Sequence, residues 1–177
     1  MANPQQTWQD RKITLSEIDH WHLSGRVAVT QGDEAWSLSL DWQQQGDDYR
    51  IQLHGLFGAG RVQLVGNADG VLLKDSDDQV FYADTPEALL LQQTGVHMPV
   101  AGLRYWVRGL VSPTQATQPD LDPQGRLAYL EDAQWQVKFR RYMQVSGLDL
   151  PAKVFIKKPA TQIDVRLVVD EWQLGTQ

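Results

Sequence analysis

The stretch Trp36-Ser-Leu-Ser-Leu-Asp-Trp42 alternates apolar and polar residues without a break. Successive side chains of an extended chain leave opposite faces, so this pattern makes a strand with one dry and one wet face. A helix would need apolar residues three or four positions apart. The same period of two runs through Trp21-His-Leu-Ser-Gly-Arg-Val-Ala-Val29, where Trp21, Leu23, Val27 and Val29 share a face. Further strands are predicted over residues 49–53, 61–65, 71–74, 80–83, 127–130, 134–142, 152–157 and 162–174. The joins Gln31-Gly-Asp-Glu34, Gln45-Gly-Asp-Asp48, Gly66-Asn-Ala-Asp-Gly70 and Asp75-Ser-Asp-Asp78 are short and rich in turn formers. Short joins make consecutive strands antiparallel neighbours, which gives a meander. In the last strand Ile163, Val165, Leu167 and Val169 have one parity, Trp172 and Leu174 the other; a bulge near Asp170 reconciles them.

Helical signals interrupt the strands. Thr7 and Asp10 have capping-box spacing for a helix over 7–18, with Trp8, Leu15 and Ile18 on one side. Thr85 caps a second helix, Pro86 takes its first position and Gly95 ends it. A third, over 101–108, carries Leu103, Trp106, Val107 and Leu110 and stops at Gly109. Asp122-Pro-Gln-Gly125 fits a tight turn. A flat sheet of ten or eleven strands tends to curl or split. The architecture is therefore mainly β, a curved antiparallel sheet forming an open half-barrel, with helices covering an apolar cavity.

Length suits one domain: residues 1–6 read as a flexible leader and 7–177 as the folded unit, with no internal repeat. No long uncharged apolar run spans a bilayer, and no signal peptide stands in this chain. A formal charge of −6 argues against nucleic acid, whose binders usually carry a basic face. Lys153, Lys157 and Lys158 read as a solvated strand edge. The absence of cysteine removes disulfides, thiol catalysis and Cys-type zinc sites.

Signs of catalysis are sparse. Gly55-Leu-Phe-Gly-Ala-Gly60 is glycine-rich but lacks the lysine and helix start of a phosphate cradle. His20 and His22 have strand spacing without a third ligand nearby, and Asp75, Asp77 and Asp78 lack the rest of a calcium loop. Asp170-Glu171 reads as exposed charge. Arg141, Tyr129 and Tyr142 are loose candidates for chemistry, too few to argue an enzyme. Neither cofactor nor metal is expected.

What stands out is apolar. Seven tryptophans are heavy use for this length. On the dry faces and helices, Trp36, Leu38, Leu40, Ile51, Leu53, Leu90, Trp106, Trp135 and Val137 are the expected cavity wall or core. Leu56 and Phe57 sit in a hairpin loop, where polar residues are usual. Leaving them in water forgoes roughly 1.5–3 kcal/mol each, so the loop either folds onto the core or meets something apolar.

Leu23-Ser-Gly-Arg-Val-Ala-Val29, Leu40-Asp-Trp-Gln-Gln-Gln-Gly46, the Leu56-Phe-Gly58 loop, Thr94-Gly-Val-His-Met-Pro-Val100, Leu103-Arg-Tyr-Trp-Val-Arg-Gly-Leu110 and Asp132-Ala-Gln-Trp-Gln-Val-Lys-Phe139 occur in this order. In these motifs the chain resembles the LolB family of outer-membrane lipoprotein receptors, from Trp8 to Leu174. The resemblance implies a monomer at the periplasmic face of the outer membrane that takes lipoprotein acyl chains from the periplasmic carrier LolA into its cavity. It then passes the lipoprotein to outer-membrane lipid. It also implies that Leu56 and Phe57 form a membrane-insertion loop, Phe57 aligning with the family's exposed apolar residue. The family more often has Pro-Leu before that glycine. Family members start at an acylated cysteine, which is missing here, so the resemblance implies a soluble form of an anchored protein. The alternative is a carrier of free small lipids on the same fold.

Overall fold

The computed structural model describes residues 3–55, 60–115 and 117–175. Strands β1 (His20–Gln31), β2 (Glu34–Gln45), β3 (Asp48–Gly55), β4 (Arg61–Gly66), β5 (Val71–Lys74) and β6 (Val80–Ala83) form the expected meander. After two helices, β7 (Asp120–Leu121), β8 (Leu127–Asp132), β9 (Trp135–Val145), β10 (Leu148–Lys158) and β11 (Ile163–Leu174) form a second. β11 pairs antiparallel with β1, so both meanders join in one eleven-stranded sheet ordered β6-β5-β4-β3-β2-β1-β11-β10-β9-β8-β7. Its edges, β6 and β7, do not meet, and the sheet stays open.

The alternation read from the sequence becomes continuous apolar rows across the inner face. One row runs Phe81–Leu73–Leu64–Ile51–Trp42–Leu23–Trp172. Another runs Trp36–Val29–Val165–Ile156–Val137–Leu130. The two strand ends differ: at one lie Gln31, Gly55, Asp75 and Asp132, and at the other Gly46, Gly66 and Gly147.

The bulge is where the parity switch required it. Ser24 pairs with Glu171 and Gly25 with Val169, leaving Asp170 unopposed. Gly25 is needed there: a Cβ would lie 2.3 Å from the Val168 carbonyl oxygen. Gly25→Ala should therefore push the β1–β11 seam apart and cost about 1–3 kcal/mol, seen as a lower denaturant midpoint.

Helix α1 (Pro4–Ser16) starts three residues before the expected position. Thr7 does not cap it; the Asn3 side chain accepts the Gln5 N–H at 2.9 Å, and Pro4 takes the first position. Its first turn thus includes Pro4–Gln6, which the sequence reading placed in a leader. Trp8 and Leu15 are buried as expected, and Ile13 is exposed. Helix α2 (Pro86–Thr94) is as read: Thr85 accepts the Ala88 N–H, and Gly95 closes it at φ 79°. Helix α3 (Val100–Trp106) ends two residues early, with Gly109 at φ 78° just beyond. The two-residue β7 was not foreseen. The Asp122–Gly125 turn is closed by the Gly125 N–H donating to the Asp122 carbonyl at 3.0 Å.

Candidate functional site

At the Gly46 end three buried tryptophans close the inner face. Trp21 lies with its ring centroid 5.3 Å from that of Trp42 and 5.4 Å from that of Trp172. Trp42 donates to Gln44 and Trp172 to the Pro151 carbonyl, so two of these indole N–H groups stay satisfied away from water. Gln44 in turn donates to the Gly46 carbonyl at 2.7 Å. The helices are pinned at this end. Arg11 reaches the Asp149 carbonyl, Arg104 the Gly46 carbonyl and Asp47, and Arg108 the Ile18 carbonyl. Burial and the nearby Arg104 push the Arg108 guanidinium down to about 10, so it keeps its charge at neutral pH.

At the Gln31 end the packing opens. One cleft of about 350 Å³ lies between the sheet and α2, walled by Trp36, Leu38, Leu53, Val62, Leu90 and Val96. Gly55 and Gly60 are at its rim. A second, of about 500 Å³, lies among α2, α3 and the β8–β9 turn, walled chiefly by Leu91, Met98, Tyr105, Trp106 and Trp135. Both volumes fall in the range of small-ligand sites. The Gly95–Pro99 segment runs between them, held by Gln31, whose side chain donates to the Gly95 carbonyl at 2.9 Å and accepts the His97 N–H.

The nine residues named from the sequence thus divide. Trp36, Leu38, Leu53 and Leu90 line the first cleft; Trp106 and Trp135 line the second. Leu40, Ile51 and Val137 line neither cleft and belong to the buried core. Where the sequence predicts one cavity, the described residues place two apolar clefts beside the helices, on either side of one strap. Leu56 and Phe57 lie outside the described residues.

One feature of the second cleft was missed. Asp132 is buried at its edge, where the Ser112 hydroxyl donates to it and that of Thr114 lies at 3.3 Å. In sequence it is one acid in a turn, and only the fold brings Ser112 to it. The candidates for chemistry do not converge. Tyr142 donates to the Leu127 carbonyl at 2.6 Å under the Arg126 guanidinium, and burial pushes its phenol well above the ordinary range. Tyr129 donates to Glu131, and Arg141 is exposed. His20 pairs with Asp19 and His22 with Asp41. Among the described residues no three His, Asp or Glu side chains gather as a metal set.

Among solved structures, a LolA superfamily protein from Nitrosomonas europaea superposes with a TM-score of 0.59 at 6% identity, over 99% of this chain and 96% of that one. It shows a shared half-barrel fold. An outer-membrane lipoprotein LolB from Nitrosococcus oceani is 41% identical over 175 residues, 98% of this chain and 86% of the relative. Its counterpart from Alkalilimnicola ehrlichii is 39% identical over 174 residues, with the same coverage. The family model described as outer membrane lipoprotein LolB matches residues 19–172. The chain belongs to the LolB family.

Proposed function

We propose that this protein is an outer-membrane lipoprotein receptor: it accepts acylated lipoproteins from LolA and releases them into outer-membrane lipid, as a single domain and as a monomer. The observation that carries this is the pair of apolar clefts opening at the same end of the sheet as the Gly55–Gly60 connection. A bound acyl chain would therefore leave beside the proposed Leu56-Phe57 insertion loop. No helix among the described residues is long and apolar enough to cross a membrane.

Magnitudes fix the route. A chain of about 16 carbons resists water by roughly 12 kcal/mol, at about 0.8 kcal/mol per CH₂. Free passage of two or three chains through water is excluded, so cleft must face cleft during transfer. The direction follows from each recipient holding the chains better than the donor, without nucleotide and without covalent chemistry. Trp36, Leu38, Leu53, Leu90, Trp106 and Trp135 make the receiving surface, and Leu40, Ile51 and Val137 back it. Gln31 holds the strap between the two clefts.

A second reading, a carrier of free small lipids, draws on the modest size and separation of the clefts. One experiment divides the two. Lipoprotein-loaded LolA mixed with this protein should hand over its cargo with EDTA present and no nucleotide added. Retention of cargo on LolA would overturn the receptor reading; loss of transfer in EDTA with the fold intact would instead reveal a metal requirement.

A further inference from the structure

The outer face carries charge that the receptor reading does not use. Lys153 and Lys157 read as a strand edge in the sequence, but β10 is an interior strand between β9 and β11. Their side chains belong to the sheet's outer face, and Lys158 instead turns over the Trp135 ring, 5.4 Å from its centroid. Across the three strands Lys138 pairs with Phe155 and Phe155 with Arg166. Arg140, Lys153 and Arg166 stand over the Phe155 ring at 5.4, 5.4 and 4.8 Å. With Lys138, Arg141 and Lys157 they make a six-cation patch in a chain whose formal charge is −6. Asp164 lies within it, 3.7 Å from both Lys157 and Arg166. Among the described residues, Lys138, Arg140, Arg141 and Lys153 form no ion pair.

Like charges so close repel one another, and their concentration on one face of an acidic protein gives that face a fixed electrostatic orientation. Cations around a half-exposed aromatic suit a charged interface with an apolar layer just beneath it. The patch also lies toward the correct end. Gly55 shares a cross-strand row with Leu38, Val27, Leu167 and Val154, and Phe155 follows Val154 directly. We infer that this face is a second membrane contact, binding anionic phospholipid headgroups and seating the outer face of β9, β10 and β11 against the bilayer. The inference rests on the receptor reading only in placing the protein at a membrane.

The test is flotation with phosphatidylethanolamine vesicles, with and without phosphatidylglycerol, at rising salt. The wild type should prefer the anionic vesicles and lose that preference as salt rises. Lys138→Glu with Arg140→Glu should weaken anionic-vesicle binding by about thirtyfold, two contacts at about 1 kcal/mol each, with an unchanged melting temperature. Arg50→Glu with Lys74→Glu, the same charge change on the outer face of β3 and β5, should leave binding near wild type. Equal loss in both pairs, or none in the first, overturns the proposal. So does a first pair that binds vesicles normally but receives lipoprotein slowly from LolA, which would give the face to an acidic protein partner. Should vesicle binding respond as expected while the wild type takes no lipoprotein from LolA, the receptor reading fails and the membrane contact stands.

Discussion

Trp42→Ala should lower the melting temperature by about 6–20 °C, whereas Trp36→Ala should barely move it. Both residues stand on the inner face of β2. Trp42 is 2% exposed and packs against Trp21, which in turn meets Trp172. Truncating a buried indole costs about 3–5 kcal/mol, because the transfer energy is lost and the cavity does not fully collapse. It also removes the N–H that satisfies the buried Gln44 carbonyl. In a chain of this size each kcal/mol is worth about 2–4 °C, so the shift is large against a total stability of about 5–15 kcal/mol. Trp36 walls the first cleft and is only partly buried, so its loss should cost about 1 kcal/mol or less. It should instead weaken retention of an acyl probe, by about tenfold if roughly 60 Å² of apolar contact disappears. Thermal melts and a fluorescent fatty-acid titration on both variants separate the roles. Equal falls in melting temperature would sink the distinction between a closed end and a receiving end.

That distinction also marks how far the sequence could be read. Strict alternation in β2 and β1 names the inner faces, and the parity switch around Asp170 locates the bulge without reference to pairing. Local chemistry was equally legible at Thr85, Pro86 and Gly95, where cap, first position and stop are fixed within one helix. The β1–β11 seam was not, because pairing between strands more than a hundred residues apart leaves no local periodicity. Nor could alternation separate Trp36 from Trp42: both face inward, and only their rows decide that one meets a cleft and the other meets Trp21. The start of α1 was misplaced for a different reason. Asn3 and Thr7 both have capping chemistry, and Asn3 followed by Pro4 supplies the better start. The lysines of β10 resemble edge charge because charge in a strand reads the same at an edge as on an outer face.

Phe57→Glu should abolish delivery while leaving stability and receipt intact. The glycine-rich connection holding Leu56 and Phe57 has its two ends, Gly55 and Gly60, at the rim of the first cleft. Two outcomes are physically distinct. If the Phe57 ring is part of the core, a carboxylate in its place is buried without a partner and several kcal/mol of stability disappear. If it is the apolar tip that enters the acyl boundary, water already surrounds it in the free protein, and stability moves by about 0.5 kcal/mol or less. The clefts are unchanged in that case, so lipoprotein should still arrive from LolA at the normal rate. Release is different, because the ring gains about 1.5–3 kcal/mol on leaving water, whereas a carboxylate resists the same step by a further amount of about 2–3 kcal/mol. Together these correspond to a loss of delivery of about three hundredfold or more. Phe57→Leu, which keeps the tip apolar, should restore most of it. The measurements are the melting temperature, cargo transfer from LolA in solution, and cargo appearing in liposomes. A large fall in melting temperature would place the ring in the core, and unchanged delivery to liposomes would remove the loop from the membrane step.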